Sequence, residues 1–269
     1  MTEATTRHKP GTPCWASLLV HDLTVGQKFY GELFGWEFRE AAQPVGLYVR
    51  ARFGDLEIAG LGEVHHGLSL PVTWLPYLAT DDADRTCAVI RERGGTVGVG
   101  PLDSEHTGRM AIASDPSGAA FGVWQAIAPL GAAPDGRLGT PVWDELVTRD
   151  AAAAARFYRS VFDYKIVPVE TSGGNYLTLE LDGRPVGGIR GVGDALPRDR
   201  GPHWTTYFAV ADTDAAAARV RQLGGAVLRE PRNSPYGRLA QVTDPEGAPF
   251  AIIRLDDPRD AVDRPLRTP

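Results

Sequence analysis

The chain has 269 residues, 43% of them hydrophobic and 23% charged, with a formal net charge of −6. That is the balance of a globular protein with length enough for two domains, each able to bury its own core. No Lys/Arg cluster answers a phosphate backbone, so nucleic acid is not an expected partner. No apolar run suits a membrane span or a signal peptide, and a cytoplasmic location is expected. Cys14 and Cys87 lie in apolar-periodic segments and read as buried free thiols.

In chain order, the alternating run Trp15–Val20 predicts a strand, and Asp22 stands at the capping position of a helix. Val25, Phe29 and Leu33, with Tyr30 and Phe34 beside them, form its apolar stripe. Strands are expected near Trp36–Arg39, Leu47–Phe53 and Leu56–Leu61. The pattern then restarts. Trp74–Thr80 reads as a strand, Asp82–Arg93 as a helix stopped by Gly94-Gly95, and strands follow near Val97–Val99, Arg109–Ser114 and Ala120–Gln125. Asp115-Pro116-Ser117-Gly118 is a turn sequence, read here as hairpin geometry.

The whole arrangement is written twice. GTPCWASLLVHDLTVGQKFYGELFGWEF at 11–38 matches GTPVWDELVTRDAAAAARFYRSVFDYKI at 139–166, an offset of 128 residues. ATDDADRTCAVIRERGGTV at 79–97 matches AVADTDAAAARVRQLGGAV at 209–227, and SDPSGAAFGV at 114–123 matches TDPEGAPFAI at 243–252. Repeats at such spacing decide the architecture. The first domain is placed at 11–127, an Ala/Gly/Pro-rich linker at 128–138, the second domain at 139–255 and a tail at 256–269.

A strand, an Asp, Phe-Tyr seven and eight residues on, a helix ending in Gly-Gly and a final Asp-Pro-x-Gly hairpin together resemble the vicinal oxygen chelate superfamily. Its members include glyoxalases, bleomycin-resistance proteins and extradiol dioxygenases. The tandem form opening on Gly-Thr-Pro-x-Trp is similar to a two-domain actinobacterial branch. The resemblance implies an α+β fold of tandem domains, each with two βαβββ modules forming one concave mixed sheet. It also implies a divalent metal held in the cup on His, Gln or Glu.

Position by position, the implied metal ligands fall at Trp15, Gly60, Leu75 and Gly122 in copy one, and at Trp143, Gly188, Thr205 and Ala251 in copy two. An indole offers only an N–H, and none of the others except Thr205 has a donor oxygen or nitrogen in its side chain. A shift of register brings in Glu57, Gln125 or His203, but no single shift restores a full set. No metal and no other cofactor is therefore expected.

What stands in place of the ligands is aromatic. Alternation along a strand puts Trp15 and Ser17, or Trp143 and Glu145, on the cup face. Tyr77 and Tyr207 face the same way, and Trp124 adds a ring to copy one. These read either as the lining of a pocket for a flat or apolar molecule, or as aromatic filling of the cups or of the contact between domains. Glu145, opposite Ser17 of copy one, is expected to have its pKa raised by desolvation, as a general acid or base requires. The alternative for Glu145 is a salt bridge across the domain interface, with Arg190 as partner. Tyr207 and His203 are the candidate assistants, His203 being equally readable as an exposed strand-start residue. His65, His66 and His106 lie in loops and read as exposed, and His21 beside a helix cap reads as structural.

Three functions follow. The chain is expected to be a metal-independent small-molecule-binding protein of secondary metabolism, its ligand an aromatic or apolar natural product, with tailoring (lyase, isomerase or cyclase) activity through Glu145 left open. One alternative is a resistance protein that sequesters an antibiotic without catalysis. The other is a divalent-metal glyoxalase or dioxygenase. A monomer suffices to build both cups, and a homodimer is equally allowed.

Overall fold

A computed structural model describes residues 8–41, 47–64, 72–104, 107–127, 136–169, 175–196, 200–234 and 236–256. In copy one the first module is β1 (Pro13–Val20), α1 (Leu23–Phe34), β2 (Glu37–Ala41), β3 (Tyr48–Phe53) and β4 (Leu56–Glu63). Its second module is β5 (Trp74–Ala79), α2 (Ala83–Glu92), β6 (Thr96–Ser104), β7 (Gly108–Ser114) and β8 (Ala120–Ala126). Copy two repeats the order: β9 (Pro141–Thr148), α3 (Ala151–Phe162), β10 (Lys165–Val169), β11 (Tyr176–Leu181) and β12 (Arg184–Gly191), then β13 (His203–Ala209), α4 (Thr213–Gln222), β14 (Ala226–Ser234), β15 (Gly237–Thr243) and β16 (Pro249–Leu255). Most of the proposed linker, and all of the proposed tail beyond Asp256, lie outside the described residues.

Each copy forms one eight-stranded mixed sheet, ordered β2-β3-β4-β1-β5-β8-β7-β6 and β10-β11-β12-β9-β13-β16-β15-β14. The modules therefore join side by side through β1 with β5 and β9 with β13, both antiparallel. Each first strand also pairs in parallel with the last strand of its own module, as β1 does with β4 and β9 with β12. β6 is longer than the segment 97–99 expected from sequence, because it pairs with β7 across two bulges that the alternation pattern does not reveal.

Four aspartates start the four helices. Asp22, Asp82, Asp150 and Asp212 each sit in extended conformation and accept hydrogen bonds from backbone N–H groups of the first turn. Such a cap contributes about 1 kcal/mol.

The helix-side cores are shared between the copies, contrary to the sequence expectation of a core for each. One cluster joins Leu18, Phe29, Tyr30 and Trp36 of the first module, with Trp74 from the start of the second, to Phe208, Val220 and Phe250 of the fourth. A second joins Leu78, Cys87, Ile90 and Phe121 of the second module to Leu146, Phe157 and Tyr158 of the third, with Trp204 from the start of the fourth. The reason lies in the one-sided helices: an apolar stripe on a helix must be covered, and here the other copy helps to cover it. Phe34 stacks on Phe208 with centroids 5.1 Å apart, and Phe121 meets Tyr158 edge-on at 5.4 Å. Truncating one such buried ring typically costs about 3–5 kcal/mol.

The repeated motifs turn out to stitch this seam. Tyr30 of the Phe-Tyr pair donates to Asp244 of the opposite Asp-Pro-x-Gly turn at 3.1 Å and accepts from Trp74 Nε1 at 3.0 Å. Trp36 Nε1 donates to the Gly139 carbonyl at 2.7 Å, while Tyr164, its counterpart, donates to the Gly11 carbonyl. Glu246 accepts from the backbone N–H groups of His21 and Asp22, with His21 Nδ1 3.1 Å from the same carboxylate. The Asp-Pro-x-Gly segments are hairpin turns as expected, since Asp115 and Asp244 accept from backbone N–H groups two and four residues on. Both cysteines are buried free thiols.

Candidate functional site

Each cup is the sheet face turned away from the helices. In copy one the helix-side face of β1 contributes Ala16, Leu18 and Val20 to the shared core. Trp15, Ser17 and Leu19 alternate with them onto the cup face. Trp15 packs with Tyr77, Met110 and Trp124. In copy two Trp143 packs with Tyr207, Tyr236, Leu239 and Ala251. Of the predicted cup residues, Trp15, Tyr77, Trp124, Trp143, Thr205 and Tyr207 thus fall on the expected faces, and Ser17 and Glu145 lie between them.

The glycines at the former ligand positions carry a feature missed in the sequence. A Cβ on Gly60 would lie 1.8 Å from the Tyr48 hydroxyl, and one on Gly188 would lie 2.1 Å from the Tyr176 hydroxyl. A Cβ on Gly122 would strike the Tyr77 ring at 2.2 Å. Tyrosines therefore fill the space above three former ligand positions. In copy one, Trp15 Nε1 donates to Tyr48 Oη at 2.9 Å, and Ser17 Oγ shares a hydrogen bond with it at 2.8 Å. Tyr48 and Tyr176 stand at the same offset of 128 as the rest of the repeat, and that coincidence was the available signal.

Copy two keeps the tyrosine and changes its surroundings. Glu145, at the Ser17 position, is fully buried. Its cross-strand neighbours are Gly188 and Thr205, two of the former ligand positions. Its Oε1 lies 3.0 Å from Arg190 Nε and accepts a hydrogen bond from the Tyr207 hydroxyl at 3.3 Å. The expected desolvated carboxylate is thus one half of an ion pair. Arg190 is on β12 of the same sheet, so the pair spans the floor of the cup and not the domain interface. The physical reason is that a buried lone carboxylate is too costly to keep. Burial, and then the Glu145 charge, hold the Tyr207 phenol well above its ordinary range, so it acts as a donor. Trp143 sits beside Tyr176, but its Nε1–H and the Tyr176 hydroxyl are both buried without the bond that Trp15 makes to Tyr48.

His203 starts β13 opposite Val147 and is half-buried, not fully exposed. Its Nδ1 donates to the Gly201 carbonyl at 2.8 Å, which leaves Nε2 as an acceptor. Burial lowers its pKa, so the neutral ring is favoured. Two residues beyond Thr205, it lies at the rim. Thr205 itself is buried on the cup face. Loops with His65, His66 and His106 lie outside the described residues.

The donor set does not fit a family-type metal. Among the described residues no three His, Cys, Asp or Glu side chains converge as a metal site would require. Tyrosine hydroxyls crowd Gly60 and Gly188, and the Arg190 cation lies against Glu145 in cup two. Gln125, a candidate after a register shift, instead accepts from the Ala83 backbone N–H at 2.9 Å. Glu57 is paired with Arg50 at 3.0 Å.

A different buried carboxylate lies on the opposite face of β9. Asp144 accepts from Thr206 Oγ1 at 2.6 Å, and burial pushes its pKa up to about 7. It borders a cavity of about 40 Å³ at the seam with Cys14, Trp15 and Ala16 of copy one. Strand alternation places it outside the cup, so the cup pattern in the sequence does not single it out.

Residues 14–123 match the family described as Glyoxalase/Bleomycin resistance protein/Dioxygenase superfamily, and residues 142–253 match the one described as Glyoxalase-like domain. The chain is 36% identical to the anthracycline biosynthesis protein DauV of Streptomyces sp. strain C5 over 266 residues, covering 93% of this chain and 95% of that one. It is 36% identical over 268 residues to the anthracycline biosynthesis protein DnrV of Streptomyces peucetius, with the same coverage. It is 35% identical over 254 residues to CFP32 of Mycobacterium bovis, whose name assigns it provisionally to the glyoxylases, covering 92% and 96%. The Mn(II)-bound glyoxalase of Novosphingobium aromaticivorans shares the fold with a TM-score of 0.63 at 14% identity, over 93% of this chain and 85% of that one. An extradiol ring-cleaving dioxygenase of B. fuscum does so at 0.65 and 14%, over 94% and 74%. With both copies matched and relatives aligned along nearly its whole length, the chain belongs to the glyoxalase, bleomycin-resistance protein and dioxygenase superfamily.

Proposed function

We propose that the chain binds a small organic molecule in the cup of its second copy, anchored at Glu145, and does so without a family-type metal. One observation carries the reading: a fully buried carboxylate lies between two former ligand positions, contacted by Arg190 and Tyr207, where copy one has only Ser17. The fold does not need this charge, since its sister sheet forms without it. A costly buried group at one site of two equivalent ones points to use. Trp143, Tyr176 and Tyr207 supply rings suited to a flat or apolar body. The anthracycline-biosynthesis names of DauV and DnrV support an aromatic natural product and a role in secondary metabolism.

The catalytic form of this proposal is a proton-transfer tailoring step of lyase, isomerase or cyclase type. Glu145 accepts the proton, the Tyr207 hydroxyl steadies an oxygen, and His203 relays at the rim. The non-catalytic form is sequestration. Native mass spectrometry of the purified protein against candidate aromatic products tests the common core. Retention of a ligand that Glu145→Gln weakens at least tenfold supports it. Undiminished retention in that variant refutes the anchor. Turnover lost in Glu145→Gln even at ligand concentrations that saturate the weakened site selects the catalytic form.

A further inference from the structure

Three arginines of copy two have no arginine at the matching positions of copy one. Arg190 of β12 corresponds to Gly62, and Arg229 and Arg232 of β14 correspond to Val99 and Leu102. Both β14 positions face the cup: Arg232 pairs across strands with Leu239, and Arg229 with Gln241, two residues on along the same face of β15. Leu239 is part of the Trp143–Tyr207 cluster. Arg229 feels the like charges of Arg190 and Arg232 as well as the opposite charge of Glu145. Tyr207 at the floor feels both Arg190 and Arg232. The Nε–H groups of Arg190 and Arg232 are buried without an aligned acceptor among the described residues, though Arg190 keeps its ion pair with Glu145.

Arg190 on the floor, Arg232 on the wall and the exposed Arg229 at the rim thus face a cup where Glu145 supplies the opposing charge. Like charges facing one cup from both halves of the sheet repel each other and favour no fold, and the sister sheet forms with Gly, Val and Leu there. Guanidinium forks are the side chains best matched to a carboxylate or another oxyanion, and clustering them in a low-dielectric cleft focuses positive potential on an entering anion.

We propose that the second cup takes an aromatic organic anion, its oxyanion (a carboxylate or an ionised enol or phenol) held by Arg232 and Arg229 and its ring against Trp143 and Tyr207. This deepens the ligand-binding reading above and rests on it. It also divides the labour between copies: cup two reads charge, while cup one, with Val99 and Leu102 at the same places and its Arg50 paired with Glu57, does not.

The probe is 2-naphthoate, titrated into the full-length protein by calorimetry, with uncharged 2-naphthamide and inorganic phosphate as parallel arms. Naphthoate is expected to bind at least tenfold more tightly than naphthamide, and to weaken as salt is raised. The double variant Arg229→Val/Arg232→Leu, which copies cup one, is expected to lose at least tenfold in naphthoate affinity and to leave naphthamide unchanged. Its circular dichroism should match that of the parent. Trp143→Phe locates the site, because quenching of tryptophan fluorescence by naphthoate should fall while binding heat persists. Equal binding of acid and amide, or naphthoate affinity retained in the double variant, overturns the anion inference. If Trp143→Phe still reports loss of quenching, the cup reading itself survives. Quenching unchanged in Trp143→Phe would overturn both. Phosphate displacing naphthoate at equal concentration would reassign the site to inorganic anions. Absence of naphthoate binding also refutes the proposal.

Discussion

Asp144→Asn offers a direct test of the physics at the seam between copies. The Asp144 carboxyl is buried beside Thr206, and desolvation raises its pKa from 3.8 to about 7. Between about pH 4 and pH 7 the folded protein holds this proton and the unfolded chain does not. The folded state then binds more protons, so stability falls as pH rises through this window and levels off above about 7. At about 1.4 kcal/mol per tenfold, the full displacement amounts to roughly 4 kcal/mol. Asn keeps an oxygen for the Thr206 hydroxyl and removes the titration. Urea unfolding of both proteins should give similar stability near pH 4. Toward pH 8 the variant should gain on the parent by roughly 4 kcal/mol at most. Taking the difference cancels the other titrating groups. A difference that stays flat from pH 5 to pH 8 would refute the assignment of a buried, protonated Asp144.

Further outcomes are expected elsewhere. Glu145→Gln leaves Arg190 without its ion-pair partner and should cost about 2–3 kcal/mol, at the low end for a buried pair because Arg190 is 18% exposed; Arg190→Met in the same chain should restore much of it, read as a double-mutant cycle in urea. Gly188→Ala drives a methyl against the Tyr176 hydroxyl and should destabilise by about 1–3 kcal/mol, with Tyr176→Leu relieving part of the loss in thermal unfolding. Cys14, whose thiol burial pushes up to about 12, should be inert to a disulfide reagent in the native protein at pH 8 and react once urea unfolds it. Chelation followed by metal analysis should leave ligand binding and thermal midpoint unchanged, as the donor chemistry of both cups requires.

How far the sequence was legible depended on the range of the interaction. Asp caps, helix stripes and the Asp-Pro-x-Gly turns are local, and their readings agree with the structure because backbone donors and turn geometry are satisfied within a few residues. Strand parity correctly put Trp143, Thr205 and Tyr207 on one face with Glu145 between them, since alternation is a property of one strand. β6 was read short because its bulges depend on a partner strand.

The repeat, and the atom types at the implied ligand positions, are matters of sequence alone, since Trp, Gly, Leu and Ala offer no lone-pair donor and Thr205 only a hydroxyl. Which groups meet was decided only by the tertiary structure. Tyr48 and Tyr176 fill the space over Gly60 and Gly188 from a neighbouring strand, Arg190 reaches Glu145 across the sheet, and Arg229 and Arg232 arrive from its far edge. The shared core between copies is of the same kind. An apolar stripe announces that it must be covered, but the covering surface comes from the other copy, dozens to well over a hundred positions away, and only folding selects it.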